Sequence, residues 1–200
     1  MKRKFDWYNF IGGFIFGTIL ILISITFYTN TIKQEIPPKT PTIVQPTKML
    51  ANIIQRKQPK LDPKLVNEIA NSIYTHATHY NLPPELILCL IERESTFNPL
   101  SISKKNCVGL MQISVKFHKD KLKKFNIKRD QIFFIDNNIR IGCLILKEYY
   151  DKSKSISGAL KSYVGGTETQ YRYDILSSYA DLIIQQSTTS KTIKKINLKR

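Results

Sequence analysis

Between Phe10 and Tyr28 the chain carries no charged side chain over about 19 residues. A helix of that length, rising about 1.5 Å per residue, spans the hydrocarbon core of a bilayer, where a lone segment can satisfy its backbone hydrogen bonds only as a helix. The run predicts a transmembrane helix, which pushes any folded domain into the residues that follow. Trp7 and Tyr8 at one end and Phe27 and Tyr28 at the other stand where interfacial aromatics belong, and Lys2, Arg3 and Lys4 favour a cytoplasmic N-terminus against the weaker pull of Lys33 and Lys39. No small-x-small cleavage signal follows, which favours a retained anchor over a cleaved signal peptide. Gly13 and Gly17 have the GxxxG spacing that lets two helices approach, a pattern frequent by chance.

The anchor thus takes residues 1–29. Residues 30–60 hold Pro37, Pro38, Pro41, Pro46 and Pro59 among Thr, Gln and Lys, a composition that predicts an extended linker rather than a packed element. Residues 61–186 remain, enough for one domain. Asp62 before Pro63 supplies an N-cap and a favoured first helical residue, and Leu65, Val66, Ile69, Ala70, Ile73 and Ala77 recur at helical spacing. The chain breaks from Asn81 to Pro84. A second helix is expected from Leu86 to Thr96, ending near Asn98 and Pro99, because the residue before proline disfavours the α region. Further helices are expected from about Leu110, from Asp136 to Tyr150, from Ser157 to Tyr163 and from Thr169 to about Gln185, with no alternating strand pattern between them. The fold class is mainly α, and residues 187–200 read as a basic, solvated tail.

A formal net charge of +16 points to an anionic partner or surface without naming one. Nucleic acid is not expected: bases held by the basic run Lys116, Lys119, Lys121, Lys123, Lys124, Lys128 and Arg129 would need aromatics to stack on and the run would face away from the cytoplasm, so a solvated loop attracted to anionic wall polymer is the expectation. Cys89, Cys107 and Cys143 form no C-x-x-C pair, and His76, His79 and His118 are scattered, so no metal and no cofactor are expected, while one disulfide stays open. Cys107 with His118 carries no thiol-protease signature; a buried small residue explains Cys107.

Glu94 lies i+3 from Ile91, i+4 from Leu90 and i+7 from Ile87, on the apolar stripe of the second helix, whereas Glu92 and Arg93 lie off it. A carboxylate drawn toward a core is either paired or held protonated near neutral pH, so position alone leaves Glu94 open between a structural salt bridge and an acid/base.

Its context is more specific. Glu94–Ser95, then Phe97–Asn98–Pro99, then Ser103, then Gly109–Leu110–Met111–Gln112–Ile113 resembles the soluble lytic transglycosylase family, whose signature is a Glu–Ser pair followed at this distance by Gly-Leu-Met-Gln. Later pieces come in the family's order: Asn138–Ile139 with Gly142, Ala159–Leu160 before Tyr163, then Tyr171 leading a final helix with Ile175 and Leu176. The resemblance covers roughly residues 65–185. It implies a lysozyme-like helical domain, Glu94 as catalytic acid/base, and Ser95, Ser103, Met111, Gln112 and Tyr163 as substrate-binding residues. Three positions depart from the pattern. Tyr163–Val164–Gly165–Gly166 stands where the family has Tyr-Asn-Ala-Gly, Cys107 where a small residue such as Ala is usual, and Ser114–Val115 where many members have Met-Pro. The last is similar to the specialised transglycosylases of secretion or conjugation systems.

Glycosidases of the retaining or inverting kind need a second carboxylate across the scissile bond, and none obviously accompanies Glu94. Asp136 and Glu148 could serve, but a helix start and a solvated face account for them. A single acid suits the transglycosylase route that the resemblance implies: cleavage of the β-1,4 bond between N-acetylmuramic acid and N-acetylglucosamine, leaving 1,6-anhydromuramic ends. A lysozyme-type hydrolase and a non-catalytic wall-binding subunit of an envelope-spanning machine stay open as alternatives. The expected partners are peptidoglycan glycan strands, the inner membrane through residues 10–28, and secretion or conjugation machinery. The expected placement is a single pass through the bacterial inner membrane, with the catalytic domain periplasmic.

Overall fold

A computed structural model describes residues 44–166 and 168–197. The expected anchor at 10–28 lies outside the described residues, and among these no helix is long and apolar enough to cross a membrane.

Helix α1 runs from Val44 to Lys57, inside the stretch expected to be linker. Its only proline after Val44 is Pro46, in the first turn, where a missing N–H costs no helical bond. Beyond it Leu50, Ile53 and Ile54 repeat at helical spacing and are all buried, and Lys57 Nζ reaches Glu92 Oε2 at 2.8 Å. The prolines averaged over 30–60 concealed an amphipathic helix at the end of that window, so the folded body begins at least as early as Val44.

Helix α2 (Pro63–His79) starts as its cap residues dictate: Asp62 Oδ1 accepts from the Lys64 N–H at 2.8 Å and the Leu65 N–H at 3.2 Å. Helix α3 (Pro84–Ser95) buries every residue from Leu86 to Ile91, so it is apolar all round and forms the axis of the fold, packed against α1, α2 and the last helix. It stops at Thr96, where the backbone turns left-handed, three residues ahead of the Pro99 expected to end it.

No helix forms from Leu110. Instead β1 (Cys107–Val108) and β2 (Ile113–Ser114) pair antiparallel, Cys107 opposite Ser114 and Val108 opposite Ile113, with Ile102 bridged to Val108. Left-handed φ at Gly109 and Gln112 turns the chain back between them. Two-residue strands are too short to show alternation, which is why the pattern missed them.

Helix α4 (Lys119–Lys124) and a 3₁₀ turn (Gln131–Phe133) lead to α5 (Ile135–Ser153), then α6 (Ile156–Tyr163) and α7 (Thr169–Asn197). The span of α7 overruns the expected solvated tail by eleven residues at 187–197, since neither Gly nor Pro interrupts it. Helix α5 packs on α2, α6 and the β hairpin, and α7 packs on α3 and α6, so a mainly α body holds a small two-stranded lobe on one side.

Candidate active site

Glu94 occupies the last turn of α3, and the chain leaves that turn through two consecutive left-handed residues, Thr96 with φ 53° and Phe97 with φ 61°. Neither is a glycine, and such conformations persist only where packing imposes them. Here Phe97 is fully buried and anchors the reversal. The Glu94 carboxyl therefore sits at a helix end whose exit is fixed, not on a fraying terminus.

That carboxyl is part-buried. Desolvation raises its pKa above the usual carboxylate range, opposed by the Tyr171 hydroxyl, which donates to Glu94 Oε1, and by the Arg93 charge, with Glu168 adding to the rise. Tyr171, on the first turn of α7, is 5% exposed and lies under the Arg93 guanidinium at 5.5 Å. Burial and the facing carboxylate push its phenol well up, so it stays a proton donor to Glu94. Sequence reasoning placed Tyr171 only as the head of a helix. The pairing of residues 77 apart became visible only with α3 and α7 packed together.

Tyr163, at the end of α6, donates from its hydroxyl to the Met111 carbonyl at 2.8 Å. Burial raises its pKa, and the charges of Glu94 and Tyr171 raise it further, which puts the phenol within their electrostatic reach. Met111 is fully buried behind it. A methyl at Gly142 would come within 2.3 Å of the Met111 sulfur, so the absent side chain on α5 is what admits Met111.

Asn138 fixes the hairpin lobe that carries Met111 and Gln112. Fully buried, it accepts from the Met111 N–H at 2.8 Å and donates to the Val108 and Ile132 carbonyls, each at 3.0 Å. A Cβ on Gly109 would lie 2.1 Å from the Asn138 amide nitrogen, and its φ is 77°, so glycine is required there twice over. Gln112 folds back, its amide donating to the carbonyls of Ser101 at 3.2 Å and Gly109 at 2.9 Å.

Of the residues expected to bind substrate, Gln112 and Tyr163 line a cavity of about 340 Å³ with Cys107, Ser114, Phe117 and His118 among others. Three others are spent on structure. Ser95 is buried and donates back to the Ile91 carbonyl at 3.2 Å, Ser103 Oγ accepts from the Cys107 N–H at 3.1 Å, and Met111 is fully buried with its carbonyl taken by Tyr163. The three cysteines are free. Among the described residues no three His, Cys, Asp or Glu side chains gather as metal ligands.

Asp136 is held by His76 Nε2 at 2.6 Å and Glu148 by Lys121 Nζ at 2.8 Å, so both carboxylates weighed as partners for Glu94 are engaged elsewhere.

A family profile described as the transglycosylase SLT domain matches residues 71–180. Two proteins named membrane-bound lytic murein transglycosylase C, from Yersinia pestis (strain Pestoides F) and Yersinia pseudotuberculosis serotype O:1b (strain IP 31758), are each 31% identical over 110 residues, covering 52% of this chain. The chain spans 28% of the length of these curated relatives. Its fold is similar to that of an inactive mutant of the lytic transglycosylase Slt from Pseudomonas aeruginosa, with a TM-score of 0.52 and 19% identity over 71% of this chain and 30% of that one. With more than half of its residues matched, residues 71–180 carrying Glu94, Met111, Gln112 and Tyr163, the chain belongs to the transglycosylase SLT domain family.

Proposed function

We propose that this chain is a peptidoglycan lytic transglycosylase. It would cleave the β-1,4 bond between N-acetylmuramic acid and N-acetylglucosamine with Glu94 as acid and then base. The carrying observation is the part-buried Glu94 carboxyl, its pKa raised by desolvation and its Oε1 accepting from the Tyr171 hydroxyl, while the carboxylates of Asp136 and Glu148 are tied up in ion pairs.

The protonated Glu94 gives its proton to the glycosidic oxygen as the bond from that oxygen to the muramic C1 breaks. The N-acetylglucosamine side leaves with a free 4-hydroxyl. Positive charge developing at C1 is met by the substrate's own 2-acetamido group. Glu94, now a carboxylate, takes the proton of the muramic 6-hydroxyl, and O6 closes on C1 to form the 1,6-anhydro ring. Glu94 ends protonated and no water is consumed. Gln112 and Tyr163 would contact the sugars, with Met111 shaping the cleft floor from behind and Ser95 and Ser103 acting through the backbone they hold. The names of the curated relatives support this reading, as does the motif on which Glu94 sits.

The same names contain the word membrane-bound, which supports attachment to a membrane; the apolar run at residues 10–28 would be the anchor, in the inner membrane with the domain on the periplasmic side. Local openings for a secretion or conjugation apparatus suit a tethered enzyme carrying Ser114–Val115 after the Gln112 motif.

Purified protein should release anhydro-muropeptides from sacculi, and Glu94→Gln should cut that rate about 100- to 10,000-fold, the usual value of a general acid. Products heavier by one water would assign a hydrolase instead. Sacculus binding without any release, unchanged in Glu94→Gln, would assign a wall-binding subunit.

A further inference from the structure

The cavity lined by Tyr163 and Gln112 lies between the β hairpin, α5 and the end of α6, and Glu94 is not among its lining residues. Its lining contains no Asp or Glu. Lys105 stands at its wall together with His118, Tyr149 and Phe117, the last 78% exposed. Burial and the nearby Lys121 charge lower the His118 pKa, so at neutral pH the imidazole is an uncharged hydrogen-bonding group. The fixed positive charge at the cavity is Lys105, which enters no ion pair among the described residues. Lys121, by contrast, is neutralised by Asp120 and Glu148. A cavity of this size holds a small-molecule moiety, the rings of Phe117, Tyr149 and Tyr163 offer apolar faces to a sugar ring, and its lone uncompensated cation suits one carboxylate.

Resting on the transglycosylase reading above, we propose that this cavity is a subsite for the carboxylate-bearing substituent on muramic acid, with Lys105 as its counter-charge. Lys105 then sets preference among strands by their substitution, and it does so in binding rather than in the chemical step. The carboxylate has two sources, the stem peptide on intact strands or the free lactyl group on strands stripped by an amidase.

Lys105→Ala and Lys105→Arg are compared with wild type on peptide-bearing strands and on stripped strands. Binding of neutral chitotetraose is measured on the same side-chain changes in the Glu94→Gln background. Lys105 is exposed, so both variants should fold, which urea unfolding checks. Lys105→Ala should raise KM about five- to tenfold on peptide-bearing strands with the effect on KM rather than kcat, Lys105→Arg should restore most of it, and chitotetraose affinity should not move. An increase on peptide-bearing strands alone assigns the stem-peptide carboxylate. An increase on both assigns any carboxylate of the muramic substituent, and on stripped strands alone, the lactyl group. No increase on either strand, or an equal loss on neutral chitotetraose, overturns the proposal. Wild-type protein inert toward every strand would instead overturn the transglycosylase reading.

Discussion

Glu94 and Tyr171 act on each other in opposite senses, and that opposition is measurable. The hydroxyl stabilises the carboxylate and so lowers a pKa that burial has raised. Removing it in Tyr171→Phe leaves only the Arg93 charge to oppose burial, and the pKa rises further. Because the first step needs protonated Glu94, the alkaline limb of kcat should move to higher pH in that variant. The plateau rate should nevertheless fall roughly 10- to 100-fold, since a hydrogen bond to a charged group that also aims it is lost. Muropeptide release across a pH series reads both effects. An alkaline limb moving to lower pH would contradict the pairing.

Among the elements, the hairpin lobe depends on Asn138 more than on its own two-residue strands. Asn138→Ala strands the Met111 N–H and the carbonyls of Val108 and Ile132 without their partner, and should cost about 3 kcal/mol in urea unfolding. Helix α1 offers a second test. Ile54 is fully buried, so Ile54→Ala should destabilise by about 2 to 5 kcal/mol, whereas a true linker would not register the change. These two elements also show where sequence reasoning reached and where it stopped. Helices α2, α3, α5 and α6 were legible because caps and apolar spacing are local signals, and Glu94 stood out as a candidate because the pieces of its motif lie close together between Glu94 and Ile113. The hairpin was not, since its order comes from an asparagine 30 residues beyond Val108. Helix α1 was hidden by neighbouring prolines. Tyr171 was invisible as a site residue because nothing near it in sequence announces a partner on α3.

At the scale of the whole molecule, the proposed function makes a formal charge of +16 the term that would draw the chain to an anionic wall. Exposed charges are screened within about 10 Å at 0.1 M salt, so retention on sacculi should fall steeply as ionic strength rises from about 0.05 to 0.5 M. Cosedimentation measures this. If retention were flat with salt, contact would rest on the cleft alone. The three thiols are distributed unequally over the same body. Cys143 is fully buried and its pKa is raised by desolvation; Cys89 is buried and pushed up to about 12, so neither offers a thiolate to reagent. Cys107 alone reaches solvent, on the wall of the cavity proposed to take the muramic substituent. The protein thus arrives with a single addressable attachment point, and a maleimide dye or spin label placed there without engineering would report strand occupancy as a spectral change in real time.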